Sequence, residues 1–92
     1  MTNAQVIMEF INGGVAKTKN LRVEGKFLYN YDTPLAMRLN VNSGEEKIMY
    51  VINATKYSQS TTTIQNQLLK FIPENDILRV VTGIPMGANY LI

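Results

Sequence analysis

The sequence predicts an α+β fold in which an antiparallel sheet of four to five strands packs against two helices on one of its faces. Two segments, around Val6 and around Ile64, carry apolar residues at the three- and four-residue spacing of a helix. Between and after them, apolar and polar residues alternate or β-branched residues cluster, as they do in strands. Turn-forming residues separate these segments, and the predicted order is therefore α-β-β-β-β-α-β.

The first helix is predicted over residues 3–12. Thr2 and Gln5 have the capping-box spacing, in which each side chain accepts a hydrogen bond from the free backbone N–H of the other residue. Gly13-Gly14 follows, and glycine readily adopts the left-handed conformation that ends a helix. Residues 15–20 show no clear period and are predicted to form a basic loop.

Two short strands are predicted over residues 21–23 and 26–31. They flank Glu24-Gly25, where glycine can take the positive φ angle that a tight hairpin requires. With a two-residue turn at that position, Leu21 lies opposite Leu28. Each face of the hairpin then mixes polar with apolar residues, and the register stays open.

The clearest strand pattern follows a predicted break at residues 32–34. One face of residues 35–41 carries four alternating apolar side chains: Leu35, Met37, Leu39 and Val41. A turn is predicted at residues 42–45. Residues 47–53 then form a nearly continuous apolar strand, which we expect inside the sheet with both faces covered.

A run of hydroxyl side chains precedes the second helix, because six of the nine residues 55–63 are Ser or Thr. Thr62 and Gln65 repeat the capping-box spacing, which predicts a helix over residues 62–72. The run can bind phosphate at a helix N-terminus, or it can cap the helix and turn the chain. We favour capping, because the run lacks glycines that wrap a phosphate and has Lys56 as its nearby cation.

The end of the chain is predicted to form one more strand and a packed segment. Residues 77–82 are rich in β-formers, whereas residues 83–92 are interrupted by Gly and Pro and end in Tyr90-Leu91-Ile92. Because free termini are usually polar, we expect this apolar one to pack on its own domain or on a neighbour.

The composition fits a single domain, residues 1–92, with 46% apolar residues. The chain has no Cys and no His, which excludes disulfides, Ser-His and Cys-His catalysis, and the commonest metal ligands. No carboxylates are obviously held together, and we predict no catalytic, cofactor-binding or metal-binding residues and no enzymatic activity. A small fold without disulfides gains its stability from packing or self-association, and we therefore expect a homo-oligomer.

The charge and hydropathy patterns bear on partners and location. The net charge is +2, and the nine Lys and Arg residues are scattered, which gives little support to nucleic-acid binding. No signal-peptide pattern is visible, and no apolar run approaches the roughly 20 residues that cross a bilayer. We expect a cytoplasmic protein that does not bind membranes.

Aromatic and basic residues of the predicted strands form a candidate binding surface. Sheet surfaces of this kind stack bases on aromatic rings while cations hold phosphates. Tyrosine is also a good strand former that needs no partner, and we favour this second interpretation because the basic residues do not cluster in sequence. The surface includes Lys47 and Tyr50, and its candidate partner-binding residues are Lys26, Tyr29, Tyr31, Arg38, Lys56 and Tyr57.

Three segments in order resemble a known family. They are FLYNYDTPLA at residues 27–36, NATKYS at residues 53–58, and the helix start at Thr61-Thr62 with Ile64-Gln65-Asn66. They are similar to the Tyr-Asn/Asp-Thr turn, Thr-Lys-Tyr-Ser segment and Thr-Thr helix start of small proteins found mainly in bacteriophages and bacterial mobile elements, classed as a domain of unknown function. The resemblance covers roughly residues 20–72, and this chain has Gln65 or a neighbour where the family often carries a histidine.

The resemblance implies a phage or mobile-element origin and supplies no catalytic residues. We therefore expect a small non-enzymatic accessory protein in the cytoplasm of a host bacterium. It blocks a host protein or protein complex, host-defence proteins being one example, or it sequesters a ligand. The alternative is a nucleic-acid-binding protein that uses the tyrosine and lysine face of the sheet.

Overall fold

The elements follow the predicted order along the chain. The computed structural model describes residues 1–91, apart from the side chain of Ser43. The elements are α1 (Asn3–Ile11), β1 (Leu21–Glu24), β2 (Phe27–Asn30), β3 (Thr33–Ser43), β4 (Glu45–Asn53), α2 (Gln59–Phe71), a 3₁₀ turn (Glu74–Asp76) and β5 (Ile77–Val81). The predicted α+β class and element order are confirmed.

The five strands form one sheet in the order β1-β2-β3-β4-β5. The prediction of an antiparallel sheet is wrong at one edge, because β5 runs parallel to β4. The other three strand pairs are antiparallel. The physical reason is the connection: a crossover through α2 returns the chain to the end of the sheet at which β4 begins.

Helix α1 begins as predicted and ends one residue early. The Oγ1 atom of Thr2 accepts from the backbone N–H of Gln5 at 3.2 Å, and Oε1 of Gln5 accepts from the N–H of Thr2 at 2.7 Å. The predicted capping box is thus confirmed. Beyond the last turn, Gly13 adopts a φ of +78°.

Helix α2 begins about one turn earlier than predicted. Ser58 is the N-cap, and its Oγ accepts a hydrogen bond from the backbone N–H of Thr61 at 3.3 Å. The predicted capping box at Thr62 is wrong, because Thr62 lies within the helix and its hydroxyl donates to the Ser58 carbonyl at 3.1 Å. The physical reason is that Ser58 also has the extended backbone of a cap, with φ of −95° and ψ of 168°.

Gln65, the predicted partner in that capping box, has a different role. It is buried, and its amide donates to the backbone carbonyls of Asn53 at 2.8 Å and Thr55 at 3.0 Å. Gln65 therefore holds the end of β4 against α2.

The turn of the first hairpin lies one residue later than predicted. Gly25-Lys26 joins the strands, and Leu21 pairs with Asn30 instead of Leu28. Moving the turn by one residue shifts the pairing by two and places Val23 opposite Leu28. Both of these side chains are buried in the core below the helices, which favours this register.

The second turn is shorter than the predicted break. Asn30 pairs with Thr33, and the turn consists of Tyr31-Asp32. Thr33 and Pro34 therefore belong to β3. Strand β4 lies between two other strands, and both of its faces are covered over residues 50–53, as predicted. The prediction does not hold at the start of the predicted strand, where Lys47 is exposed and Ile48 and Met49 are half-buried.

A β-bulge at Leu35 overturns the predicted alternation along β3. The pairing with β2 passes from Ala36 to Pro34, and Leu35 is the extra residue. The side chains beyond the bulge exchange faces for this reason. Leu35 packs on the helix side of the sheet, whereas Met37 and Leu39 lie on the opposite side.

Two hydrophobic clusters cover the two faces of the sheet. The main one packs both helices on the same face, as predicted. Its buried members are Val6, Ile7, Phe10, Ala16, Leu21, Val23, Leu28, Leu35, Ala36, Tyr50, Ile52, Ile64, Leu68 and Ile72. On the opposite face, Ile84 and Leu91 of the C-terminal segment pack with Met37 and Val51. The prediction that this segment packs on its own domain is confirmed for Leu91, and Ile92 lies outside the described residues.

The two edges of the sheet differ. The predicted basic loop runs along the outer side of β1, where the N–H of Val23 donates to the Ala16 carbonyl at 2.9 Å and the N–H of Thr18 donates to the Leu21 carbonyl at 2.7 Å. Strand β5 forms the other edge. Over residues 1–91, neither helix has the length and apolar character needed to span a bilayer.

Candidate functional site

A cleft of about 390 Å³ lies where the β2–β3 turn, the start of α2 and the C-terminal segment meet. We name it the Tyr31 cleft. Its lining residues are Asn30, Tyr31, Thr33, Tyr57, Ser58, Thr61 and Met86. Because they come from three distant segments of the sequence, the cleft exists only in the folded chain.

The cleft has an exposed rim and a buried polar base. Met86 is 78% exposed and Tyr31 is 63% exposed. Asn30, Thr33 and Thr61 are buried. The cleft therefore presents an aromatic ring and a thioether to solvent above a base of amide and hydroxyl groups.

The polar groups of the base bond to one another and to the backbone. The Thr61 hydroxyl donates to Oδ1 of Asn30 at 2.9 Å, and Nδ2 of Asn30 donates to the Asn20 carbonyl at 2.9 Å. Oγ1 of Thr33 accepts from the N–H of Gly87 at 3.0 Å, which holds the loop that carries Met86. An apolar group can enter the cleft without breaking any of these bonds.

Tyr57 forms a wall of the cleft and is held on both sides. Its hydroxyl donates to the Ile84 carbonyl at 2.5 Å and accepts from Nδ2 of Asn53 at 2.9 Å. Asn53 is fully buried and also donates to the Pro34 carbonyl at 2.9 Å. The position of the Tyr57 ring is therefore fixed by β3, β4 and the C-terminal segment together.

The hydroxyl run that ends at Thr63 is used within the protein, and the capping interpretation is confirmed for Ser58. All six side chains make hydrogen bonds to described residues: Thr55, Ser58, Ser60, Thr61, Thr62 and Thr63. Two of them, Ser58 and Thr61, also line the Tyr31 cleft. Because Thr61 donates its proton to Asn30, the 3.1 Å contact between Ser58 and Thr61 requires Ser58 to donate.

Tyr31 has an unusual backbone conformation. Its φ of +53° lies in the left-handed region, and it is the only non-glycine residue of the described chain with a positive φ. The N–H of Tyr31 donates to the Asn20 carbonyl at 2.9 Å, and the carbonyl of Tyr31 accepts a hydrogen bond from the Arg22 guanidinium. These two bonds hold the strained turn in place.

Two of the six candidate partner-binding residues meet at the cleft, and the others are dispersed. Tyr31 and Tyr57 both line it. Tyr29 lies on the sheet face opposite the helices, where its ring centroid is 4.7 Å from the Arg22 guanidinium. Lys26 lies in the first turn, with Nζ 5.8 Å from the ring centroid of Phe27.

The remaining candidates do not join that surface, and the candidate residues therefore do not share a single tyrosine and lysine face of the sheet. Arg38 and Tyr50 lie on the helix side and donate to the carbonyl of Ile11 at 3.3 Å and 3.2 Å. Lys47 lies 3.8 Å from the Asp76 carboxylate. Lys56 is exposed beside Tyr57 in the sequence. The physical reason is that alternate residues of each strand point to opposite faces of the sheet.

Sequence reasoning missed Met86, Asn30 and Thr33 as members of the site. Asn30 and Thr33 pair with each other on either side of the two-residue turn Tyr31-Asp32. A prediction that placed the turn at these two residues alone would have brought Asn30 and Thr33 next to Tyr31. Met86 carries no comparable signal, because its position depends on the C-terminal segment folding back across the sheet.

The side chains of the cleft do not include a set of metal ligands. In residues 1–91, no three His, Cys, Asp or Glu side chains are grouped so as to hold a metal ion. The cleft offers hydroxyl, amide, phenol and thioether groups, which suit binding by contact and hydrogen bonding. Comparison of the chain with protein-family models, curated proteins and solved structures returned no match.

Proposed function

We propose that this protein is a small non-enzymatic binding protein and that it holds a protein partner at the Tyr31 cleft. The observation that carries the proposal is the conformation of Tyr31, which has a φ of +53° while the residue is left 63% exposed. A left-handed backbone costs an ordinary residue about 1–2 kcal/mol. Gly or Asn takes this conformation with less strain, and burial of the Tyr31 ring does not offset the strain within the chain.

The rest of the cleft supports a role for the exposed ring as an anchor. Tyr and Met are enriched at the buried centres of protein interfaces, and Met adapts its shape to irregular partners. A volume of about 390 Å³ is within the range of pockets that enclose a small group. Since the base of the cleft is already hydrogen-bonded, an apolar side chain of the partner suits it best.

The nature of the partner rests on the family resemblance. A phage or mobile-element accessory protein acts in the cytoplasm of its host, and blocking a host-defence protein by occupying its surface needs no catalytic group. Sequestering a small ligand is the alternative within the same site. The exposed rim favours a protein, because a sequestered small ligand is usually enclosed on most sides.

Nucleic-acid binding has one observation in its favour and one against it. Arg22 stacks over Tyr29, an arrangement that can receive a base. Arg22 is also 3.5 Å from the Glu24 carboxylate and 3.8 Å from that of Asp32. Among themselves, Arg22, Lys26, Glu24 and Asp32 carry no net charge, and the two carboxylates compete with a phosphate for Arg22.

We also propose that the protein self-associates through β5. This strand forms an edge of the sheet, and its Leu78 and Val80 side chains are 52% and 53% exposed. An apolar edge strand pairs readily with another strand. A second copy supplies an identical edge, and Arg79 is the single charged residue of β5 that opposes such pairing.

The cleft is tested by affinity capture from a bacterial lysate with three forms of the protein. We expect the wild type to retain a defined protein, Tyr31→Asn to lose it, and Tyr90→Asn to retain it. Tyr90 is a matched control, because it is 48% exposed and does not line the cleft. Equal capture by all three forms rules out the Tyr31 cleft as the contact surface.

A further inference from the structure

We propose that the partner segment at the Tyr31 cleft is acidic, with carboxylates beside the apolar group that enters the cleft. This inference rests on the proposed function and adds the chemical character of the partner. A second cleft of about 220 Å³ adjoins the first and shares Tyr31 with it. Lys17, Lys19, Arg22 and Asp32 are among its lining residues.

The second cleft is positively charged. Its lining contains three cations and one carboxylate, which gives a net charge of +2. Arg22 is already engaged by Asp32 and by the Tyr31 carbonyl. Lys17 and Lys19 are exposed, and within residues 1–91 neither forms an ion pair. The two lysines that line the second cleft together with Tyr31 are thus available to an external anion.

The arrangement favours an acidic peptide segment over a nucleic acid. The cations lie on one side of Tyr31, and among the residues that line the Tyr31 cleft on its other side none is charged. A polyanion requires cations along its whole path, whereas a peptide can place a carboxylate next to an apolar side chain.

The test uses two synthetic peptides that differ only in charge: Glu-Glu-Trp-Glu-Glu and Gln-Gln-Trp-Gln-Gln, each with blocked termini. Each is titrated to millimolar concentration into the ¹⁵N-labelled full chain while amide chemical shifts are recorded. We expect both peptides to shift the amides of Tyr31 and Met86, and the acidic one also to shift those of Lys17 and Lys19. The acidic peptide should bind roughly 2- to 30-fold tighter at low salt, the range expected from two exposed ion pairs.

Two double variants locate the effect. Lys17→Gln with Lys19→Gln should remove the preference for the acidic peptide. Lys47→Gln with Lys70→Gln removes the same charge at two exposed lysines that line neither cleft, and should retain the preference. Raising the salt concentration to about 1 M, where the Debye length falls to about 3 Å, should equalise the two peptides.

The outcomes separate this inference from the proposed function. Equal binding of both peptides at the Tyr31 cleft overturns the acidic partner and leaves the cleft as a protein-binding site. If neither peptide shifts the Tyr31 and Met86 amides, both proposals are overturned. Tighter binding of a ten-nucleotide oligothymidylate than of the acidic peptide, with shifts at the same residues, overturns the protein partner in favour of nucleic acid.

Discussion

The hydroxyl of Tyr57 donates a 2.5 Å hydrogen bond to the backbone carbonyl of Ile84 and so joins the start of α2 to the C-terminal segment. The same oxygen accepts from Asn53 at 2.9 Å. Because Met86 follows Ile84 by two residues, this pair of bonds sets the distance between two walls of the Tyr31 cleft. The integrity of the cleft therefore depends on a side chain that sequence reasoning identified only as a candidate contact.

Removing that hydroxyl should weaken the fold. We expect Tyr57→Phe to lower the free energy of unfolding by about 1–2 kcal/mol, because the buried Ile84 carbonyl and the Asn53 amide each lose a partner. Urea denaturation monitored by circular dichroism measures the loss. Tyr90→Phe removes an exposed hydroxyl and serves as the control, and equal stability of both variants contradicts a structural role for the Tyr57 bond.

The C-terminal segment should contribute to stability through Leu91. This side chain is 1% exposed in the second cluster, and Leu91→Ala should lower the free energy of unfolding by about 2–5 kcal/mol. Leu78→Ala, at a position 52% exposed, should change it by less than about 0.5 kcal/mol. If the two variants unfold at the same urea concentration, the segment does not pack on the sheet.

The observed start of α2 predicts different effects on stability for Ser58 and Thr62, which lie one helical turn apart. Ser58→Ala removes the N-cap and should lower the free energy of unfolding by about 1 kcal/mol. Thr62→Ala replaces a residue inside the helix with a better helix former and should be neutral or slightly stabilising. Thermal unfolding of both variants decides between them, and a larger loss for Thr62→Ala would support the cap that the sequence first indicated.

The β5 edge predicts a change in assembly without a change in fold. Leu78→Lys with Val80→Lys places charges on exposed positions of the edge strand and should yield a monomer. Light scattering after size-exclusion chromatography measures the mass, and circular dichroism checks that the fold is kept. A wild-type protein that is monomeric at high concentration rules out self-association through β5.

Local chemistry made much of the fold predictable. The Thr2–Gln5 capping box, the buried stretch of β4 and the two apolar helix faces all depend on neighbouring residues, and each was found from the sequence. The bulge at Leu35 was not predicted, because apolar residues alternate without interruption along this stretch of the sequence. The exchange of faces is visible only in the pairing of β3 with β2. The parallel β5 was missed for a similar reason, since strand direction depends on the crossover and not on the residues of the strand.

The site was predictable only in part. Tyr31 and Tyr57 were singled out from composition and motif, but Tyr29 and Arg38 were grouped with them although they point to opposite faces. Met86 joins the cleft through contacts across the sheet that no local pattern encodes. Sites built from three distant segments have this property in general, because their geometry is set by the packing between elements.

The most direct measurement is the affinity of the captured partner for Tyr31→Asn, determined by isothermal titration calorimetry beside the unfolding midpoint of the same variant. Asn tolerates the left-handed backbone, and the free energy of unfolding should stay equal or rise by up to about 1 kcal/mol. The affinity should fall by about tenfold or more, as for an aromatic anchor at the centre of an interface. Unchanged affinity with unchanged stability would contradict the account, since the exposed Tyr31 ring would then contribute to neither binding nor folding.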